Sequence, residues 1–254
     1  MIDASVLRAA MEQSAADSGC MAEDFLKSEP VAVLSKKNDG ARRYLDLPFF
    51  CDLTSYGNNV VASAAEEFLP HVRAYLEKYP AAHCFETPNM RALESALNAF
   101  GMGVCFMAEY FLPSVNMPFI APPFETRVLE KERLNGLYLP EWSNALCEKR
   151  RSLDMLAVGA YENGRLVALA GASADCETMW QIGVDVLPEA RRRGAGAAIV
   201  SALAKEVFAR GKIPFYCAAW SNLRSVKTAL KCGFEPAWAQ LTAKPLAFID
   251  ELNR

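Results

Sequence analysis

One stretch of the sequence, VDVLPEARRRGAGAAIV at residues 184–200, constrains the fold more than any other. Alternating valines before a proline predict a strand that ends here, and the alanine- and glycine-rich end predicts the first turns of a helix. Arg191, Arg192 and Arg193 stand where that helix begins. A helix N-terminus carries about half a positive charge, so each cation there costs roughly 0.3–1 kcal/mol. The pattern therefore predicts a bound anion at this turn.

Two common phosphate-binding loops do not fit this stretch. A Walker loop needs Gly-Lys-Ser/Thr after its glycines, and a dinucleotide loop needs a third glycine where this chain has Ile199. What remains is the spacing R-x-x-G-x-G at residues 191–196, opening an amphipathic helix. Small side chains leave room for a diphosphate to reach the backbone N–H groups, and arginine hydrogen bonds of about 1.5–3 kcal/mol exceed the dipole penalty. These small residues are Gly194, Ala195, Gly196 and Ala197.

The composition limits the class of protein. The chain has 254 residues, 52% of them hydrophobic, and a net charge of −3, which is typical of a globular protein and predicts no nucleic-acid partner. No signal peptide or membrane span is recognisable, and the eight cysteines form no CxxC pair. We therefore expect a cytoplasmic protein with reduced thiols, no membrane association and no metal site. The composition does not indicate an oligomeric state.

The chain divides at a proline-rich segment. Residues 112–128 contain four prolines, which disfavour both a helix interior and a central strand, so we predict domains at residues 1–123 and 124–254. The second domain should contain a hairpin turning at Asn163 and Gly164, a strand at MWQIGVDV, and two helices ending at Gly211 and Gly233. Strands alternating with helices predict a mixed α/β (α+β) fold.

The first half shows a weak repeat of the second. CFETPNMRALESAL, starting at Cys84, matches CAAWSNLRSVKTAL, starting at Cys217, at an offset of 133 residues, and Gly101 then lies opposite Gly233. This indicates an internal duplication in which the first copy lacks a counterpart of RRRGAG. Chance similarity between two capped amphipathic helices is the alternative.

The two motifs of the second half resemble those of the GNAT superfamily of acyl-CoA N-acyltransferases. The family's loop motif, [QR]-x-x-G-x-[GA], matches residues 191–196, and its second signature matches Asn222, Ser225 and the Gly-Phe pair at residues 233–234. The resemblance covers about residues 125–254 and implies a GNAT fold there. If the first half is a degenerate copy, the chain resembles two-domain members with tandem GNAT folds.

The resemblance implies acetyl-CoA as co-substrate and a small primary amine as acceptor. In such proteins the diphosphate lies on the loop that here spans residues 191–197, the pantetheine pairs with the strand near Val184 and Val186, and Asn222 and Ser225 lie near the thiol end. Asn222 is equally well explained as a helix cap.

For catalysis, the resemblance implies that the Val186 N–H stabilises the oxyanion. The catalytic half has no histidine, so the base is a carboxylate, a tyrosine or solvent, with Glu177, Asp175 and Asp185 as candidates. Many members carry a tyrosine acid seven residues after the motif Asn, where this chain has Ala229. The alternatives are that Tyr216 or Ser221 replaces it, or that the thiol leaves without an acid. A non-catalytic CoA-binding sensor or interaction module is the alternative function.

Overall fold

The computed structural model describes residues 1–254, and its helices and strands have the following bounds. The helices are α1 (Ala4–Ser18), α2 (Leu69–Lys78), α3 (Thr87–Asn98), α4 (Ala195–Ala209), α5 (Leu223–Lys231) and α6 (Leu246–Leu252). The strands are β1 (Val31–Leu34), β2 (Cys51–Ser55), β3 (Val61–Ala64), β4 (Met102–Pro113), β5 (Glu125–Glu130), β6 (Asp154–Glu162), β7 (Arg165–Ser173), β8 (Met179–Val186), β9 (Ile213–Ala218) and β10 (Phe234–Pro245). The mixed α/β fold is confirmed.

The chain forms two compact units. The C-terminal unit contains Met1–Leu7 and Phe111–Pro236, and the N-terminal unit contains Arg8–Tyr110 and Ala237–Arg254. These units differ from a single cut at residue 123, because the last strand crosses from one to the other at residues 236–237. The sequence could not predict this crossing, since no residue pattern within β10 indicates which strands it pairs with.

The C-terminal unit is built on strands in the order β9-β8-β7-β6-β5. Neighbours from β5 to β8 are antiparallel, and β8 and β9 are parallel. The β6–β7 hairpin turns at Asn163 and Gly164, both with positive φ (51° and 79°), as the Asn-Gly signal predicts. Strand β8 has the predicted bounds. The structure adds β5, which had not been predicted, because ETRVLE is too short and too charged to stand out.

Each face of this sheet has its own apolar cluster. One cluster joins α4 and α5 to the sheet through side chains such as Ile199, Val200 and Ala229. The other lies under residues 131–150, which form short 3-10 turns, and includes Trp142 and Leu146. The sheet is therefore covered on both sides, by long helices on one face and by an irregular segment on the other.

The N-terminal unit contains sheet strands in the order β1-β3-β2-β10-β4. Strand β10 pairs antiparallel with β2 from Ala239 opposite Ser55 to Thr242 opposite Asp52. Helices α2 and α3 pack on this sheet through Val72, Leu76, Leu93 and other apolar residues. The unit therefore has a core of its own.

The repeat seen in the sequence has a partial structural counterpart. Helix α3 is followed by Gly101 (φ 69°) and the 12-residue β4, and α5 by Gly233 (φ 85°) and the 12-residue β10. The correspondence does not extend upstream, because Cys84 follows a 3-10 turn whereas Cys217 lies in β9. A degenerate tandem copy therefore remains a prediction.

No helix of the chain has both the length and the apolar content required to cross a membrane. No group of three or more His, Cys, Asp or Glu side chains is placed to hold a metal ion.

Candidate functional site

The turn between β8 and α4 leaves backbone donors unused. Gly194 has a left-handed φ of 88° and precedes α4, and the first helical bond is donated by the Ala198 N–H to the Gly194 carbonyl at 3.1 Å. The N–H groups of Ala195, Gly196 and Ala197 therefore have no acceptor within the helix. A side chain at Gly196 would contact Val186 Cγ2 at 3.2 Å, so glycine suits this close approach. These features fit an anion-binding helix start.

The three arginines of this turn make different contacts. Arg193 donates two hydrogen bonds to the Glu162 carboxylate (2.6 and 3.1 Å), lies over the Phe124 ring, and holds the pKa of Glu162 below its usual value. Arg191 Nε donates to the Val186 carbonyl at 3.0 Å. Arg192 is exposed, has a φ of 61°, and makes no side-chain ion pair. That all three arginines bind an anion stays a prediction, and Arg193 already pairs with a carboxylate.

Strand β8 loses its β9 neighbour halfway along. The parallel pairing runs only from Met179 opposite Ile213 to Ile182 opposite Tyr216, although β7 stays paired with β8 as far as Val186. Residues 183–186 therefore form an open strand edge beside the start of α4.

The open edge presents the backbone groups of Val184 and Val186. The Leu187 N–H donates to the Val167 carbonyl at 2.9 Å, so Leu187 faces the β7 side. Because backbone groups alternate along a strand, those of Val184 and Val186 point away from β7, toward the open edge. Both predicted strand positions thus carry main-chain groups that a ligand can pair with.

None of the three carboxylates that were candidates for the general base is free and close to the open edge. Asp185 accepts three hydrogen bonds from Asn144 and Ala145, on the opposite face from Val184 and Val186. Glu177 precedes β8 at its far end, and the seven residue steps from Met179 to Val186 alone span about 23 Å. The prediction that Glu177 is a catalytic base is therefore wrong, because no side chain spans the distance from Glu177 to Val186. Asp175 is fully buried and pairs with Ser173 and Arg150.

Three predicted residues meet at the start of α5. The Tyr216 hydroxyl is 2.6 Å from Ser225 Oγ, and burial raises the pKa of Tyr216 to about 12. Asn222 Oδ1 accepts from the Ser225 N–H at 3.3 Å, so Asn222 caps the helix. Tyr216 is only 2% exposed, so its side chain is shielded from solvent.

Sequence reasoning missed two neighbours of the site. The proline-rich segment before β5 borders α4: Ser201 Oγ donates to the Pro118 carbonyl at 3.1 Å, and Pro123 lies 3.8 Å from where a Gly194 Cβ would stand. Residues 144–145 lie directly on Gly171 and Gly183. A glycine inside a strand signals such a close approach, so this contact had a readable signal.

A cavity of about 440 Å³ lies elsewhere, in the N-terminal unit, lined in part by Asn59, Tyr79 and Cys84. It contains none of the predicted site residues.

Comparison with known proteins addresses the C-terminal half. The sequence model of the Acetyltransferase (GNAT) family matches residues 124–234. No curated protein matches the chain.

Several solved structures are similar to parts of the chain. A putative GNAT acetyltransferase from Novosphingobium aromaticivorans is 21% identical (56% of this chain, 66% of that chain, TM-score 0.43). A GCN5-related N-acetyltransferase-like protein from Streptococcus suis is 20% identical (63% and 68%, TM-score 0.47). A tandem GNAT protein from the clavulanic acid biosynthesis pathway is 14% identical (59% and 57%, TM-score 0.44).

The sequence match and the loop and strand geometry described above therefore agree. Residues 124–234, less than half of this chain, match the sequence model of the GNAT acetyltransferase family.

Proposed function

We propose that this protein transfers an acetyl group from acetyl-CoA to the primary amine of a small molecule. One observation carries the proposal: the open edge of β8 at residues 183–186 lies beside a helix start whose N–H groups are unused. A long ligand with amides at one end and a diphosphate at the other suits both features together. Acetyl-CoA is such a ligand.

The chain offers a partner for each part of that ligand. The N–H groups of residues 194–197 and the guanidinium groups of Arg191 and Arg192 would hold the diphosphate. The backbone groups of Val184 would pair with a pantetheine amide, as an added strand does, which leaves the Val186 N–H for the thioester carbonyl. Ser225, at the start of α5, would face the thiol end. Arg193 would act indirectly, by tying the turn to the β6–β7 hairpin through Glu162.

The catalytic contribution of the chain is mainly positional. Acetyl-CoA, when bound, supplies an activated thioester. The Val186 N–H points into the open edge, where it can donate to the carbonyl oxygen on which negative charge develops. Both histidines, His71 and His83, lie in the N-terminal unit, and Asp185 is committed to three hydrogen bonds. We therefore propose that the amine loses its proton to solvent.

Thiol release and cofactor binding test the proposal together. Isothermal titration should show acetyl-CoA binding, and thiol release should appear with at least one amine from a panel of tyramine, spermidine and lysine amide. Binding without turnover on a broad amine panel would favour a non-catalytic CoA-binding module. Absence of binding would overturn both.

Gly196→Glu tests the placement of the diphosphate. The new carboxylate would stand at the unused N–H groups, so acetyl-CoA affinity should fall by about tenfold or more. Ala209→Glu, an exposed position near the other end of α4, adds the same charge as a control. Equal affinity of the two variants would place the diphosphate elsewhere.

A further inference from the structure

An irregular segment lies unusually close to the sheet beside the open edge. A Cβ on Gly183 would stand 1.9 Å from the Asn144 carbonyl oxygen, and one on Gly171 would stand 2.0 Å from that of Ala145. Real atoms do not approach so closely, so only glycine fits at either position. Buried Trp142 and Leu146 anchor the segment on both sides. Residues 143–146, which we call the covering segment, therefore rest on bare backbone.

Asp185 holds the covering segment in this place. Its Oδ2 accepts from the N–H groups of Asn144 (2.8 Å) and Ala145 (2.9 Å), and its Oδ1 accepts from Asn144 Nδ2 (2.7 Å). Three donors on one carboxylate define the position and orientation of the segment. Asp185 itself stands between Val184 and Val186, the two residues whose main-chain groups face the open edge.

The covering segment lies on the face from which an acceptor can reach the open edge. Helices α4 and α5 fill the other face, where Val184, Val186, Tyr216 and Ala218 pack against them. Cys217 alternates to the near side, where Gln181 Nε2 donates to its sulfur at 3.1 Å. An amine would therefore reach the open edge next to the covering segment, which forms one side of its approach.

We propose that Asp185 is a positioning residue that sets the wall of the amine-acceptor site through the covering segment, and not the general base. This inference rests on the proposed function. Asn144 and Ala145 would form one wall of the acceptor site, and Asp185 of β8 would hold them in place. Because Asp185 and Val186 are neighbours in β8, this strand alone would set the distance between the wall and the Val186 N–H.

Three variants separate the two roles. Asp185→Ala removes all three acceptors, and Gly183→Ala pushes the Asn144 carbonyl away while leaving the carboxylate intact. Asp185→Asn removes the charge but keeps the geometry: its Oδ1 can accept both backbone N–H groups, and its Nδ2 can donate to Asn144 after that amide rotates. Gly136→Ala is the control, because it lies in the same irregular segment with nothing within 4 Å of the added carbon.

The readouts are the KM for the best amine of the panel (tyramine, spermidine or lysine amide), kcat against pH, and the acetyl-CoA Kd by isothermal titration. Asp185→Ala and Gly183→Ala should raise the amine KM by about tenfold or more, since displacement of a positioning wall is costly. The acetyl-CoA Kd should stay within about twofold in both, and Asp185→Asn should recover most of the loss with the pH profile of the unmodified protein. Gly136→Ala should change neither constant.

Three outcomes would overturn the inference. Loss of kcat in Asp185→Asn together with a flattened pH profile would make Asp185 the base, and an unchanged amine KM in Asp185→Ala would remove its positioning role. Parallel loss of amine and acetyl-CoA affinity would reduce Asp185 to general structural support, which also contradicts it. Failure of the proposed function is distinct, because the unmodified protein would then show no acetyl-CoA binding or no turnover.

Discussion

At the scale of single residues, the charge at the β8–α4 turn is smaller than the sequence suggests. Arg193 is matched by Glu162, which also brings the hairpin turn against the loop, while Arg191 and Arg192 keep guanidinium donors facing solvent. The dipole penalty of the helix start is thus partly offset within the protein, by one carboxylate. The remaining positive charge is what a diphosphate would meet.

Because Arg193 is paired and Arg192 is not, the same substitution at the two positions should affect acetyl-CoA binding unequally. Arg192→Gln should weaken acetyl-CoA binding by about threefold to tenfold, because it removes a charge free to pair with the ligand. Arg193→Gln should have a smaller effect, since it breaks a pair already made. Isothermal titration at low and high salt measures both, with the salt dependence reduced more in Arg192→Gln. Equal losses would mean that Arg193 leaves Glu162 to bind the ligand.

A buried carboxyl in the N-terminal unit predicts a pH dependence of stability. Asp52 is fully buried, accepts from Gln240 Nε2 at 2.9 Å, and has its pKa raised to about 6 by burial. The native state therefore holds this proton to higher pH than the unfolded chain, so its contribution to stability falls as pH rises from about 4 to about 6, by at most about 3 kcal/mol.

Denaturant unfolding at pH 4, 5, 6 and 7 checks this expectation. The free energy of unfolding should fall across the window in the unmodified protein relative to Asp52→Asn, which cannot ionise. Asp250→Asn, at an exposed position, serves as the control and should follow the unmodified protein. An identical pH dependence in Asp52→Asn would show that Asp52 does not titrate there.

At the scale of elements, two glycines end helices in the same conformation but in different surroundings. Gly211 (φ 69°) has nothing within 4 Å of an added Cβ, whereas at Gly233 (φ 85°) that carbon would lie 2.6 Å from Pro118 Cδ and 3.0 Å from Met117 Cα. The first glycine serves only the helix end. The second also lets the proline-rich segment pack on the end of α5.

Alanine substitutions separate these two roles. Gly211→Ala should destabilise the protein by about 1–2 kcal/mol, the cost of a left-handed conformation. Gly233→Ala should cost clearly more, because Pro118 and Met117 must also move. Thermal and denaturant unfolding provide the comparison, and equal costs would mean that the proline-rich segment yields freely.

At the scale of the whole chain, each of the two units is built from two separate segments of the sequence. Phe111 belongs to the core of the C-terminal unit, and Ala237–Arg254 supplies the β2 partner of the N-terminal unit. A division at residue 123 therefore cuts both cores. This makes the sequence-based boundary a poor place to separate the domains.

Expression of fragments 1–123 and 124–254 tests whether each unit needs both of its segments. Each fragment lacks part of its core or sheet, so neither should unfold cooperatively alone, and co-expression should restore acetyl-CoA binding. Circular dichroism and thermal unfolding report the folding of each piece. A cooperative 124–254 fragment that binds acetyl-CoA would show that the exchanged segments are dispensable.

The parts of the fold that the sequence predicted are those encoded over short distances. The turn at Asn163 and Gly164, the bounds of β8, and the helix ends at Gly211 and Gly233 all follow from local backbone preferences. The turn at residues 191–197 was predicted for the same reason, since its glycines and arginines are contiguous, and anion binding there stays a prediction.

Only the tertiary structure decided which of those groups are available to a ligand. The sequence alone determined that a strand, a glycine turn and a helix follow one another, because that order depends on neighbouring residues. Three features involve residues 31 or more positions apart in the sequence. They are the ion pair of Arg193 with Glu162, the β8–β9 pairing that stops at Ile182, and the contact of Asn144 with Gly183. Such contacts depend on how strands and loops meet in space, and no local preference encodes that.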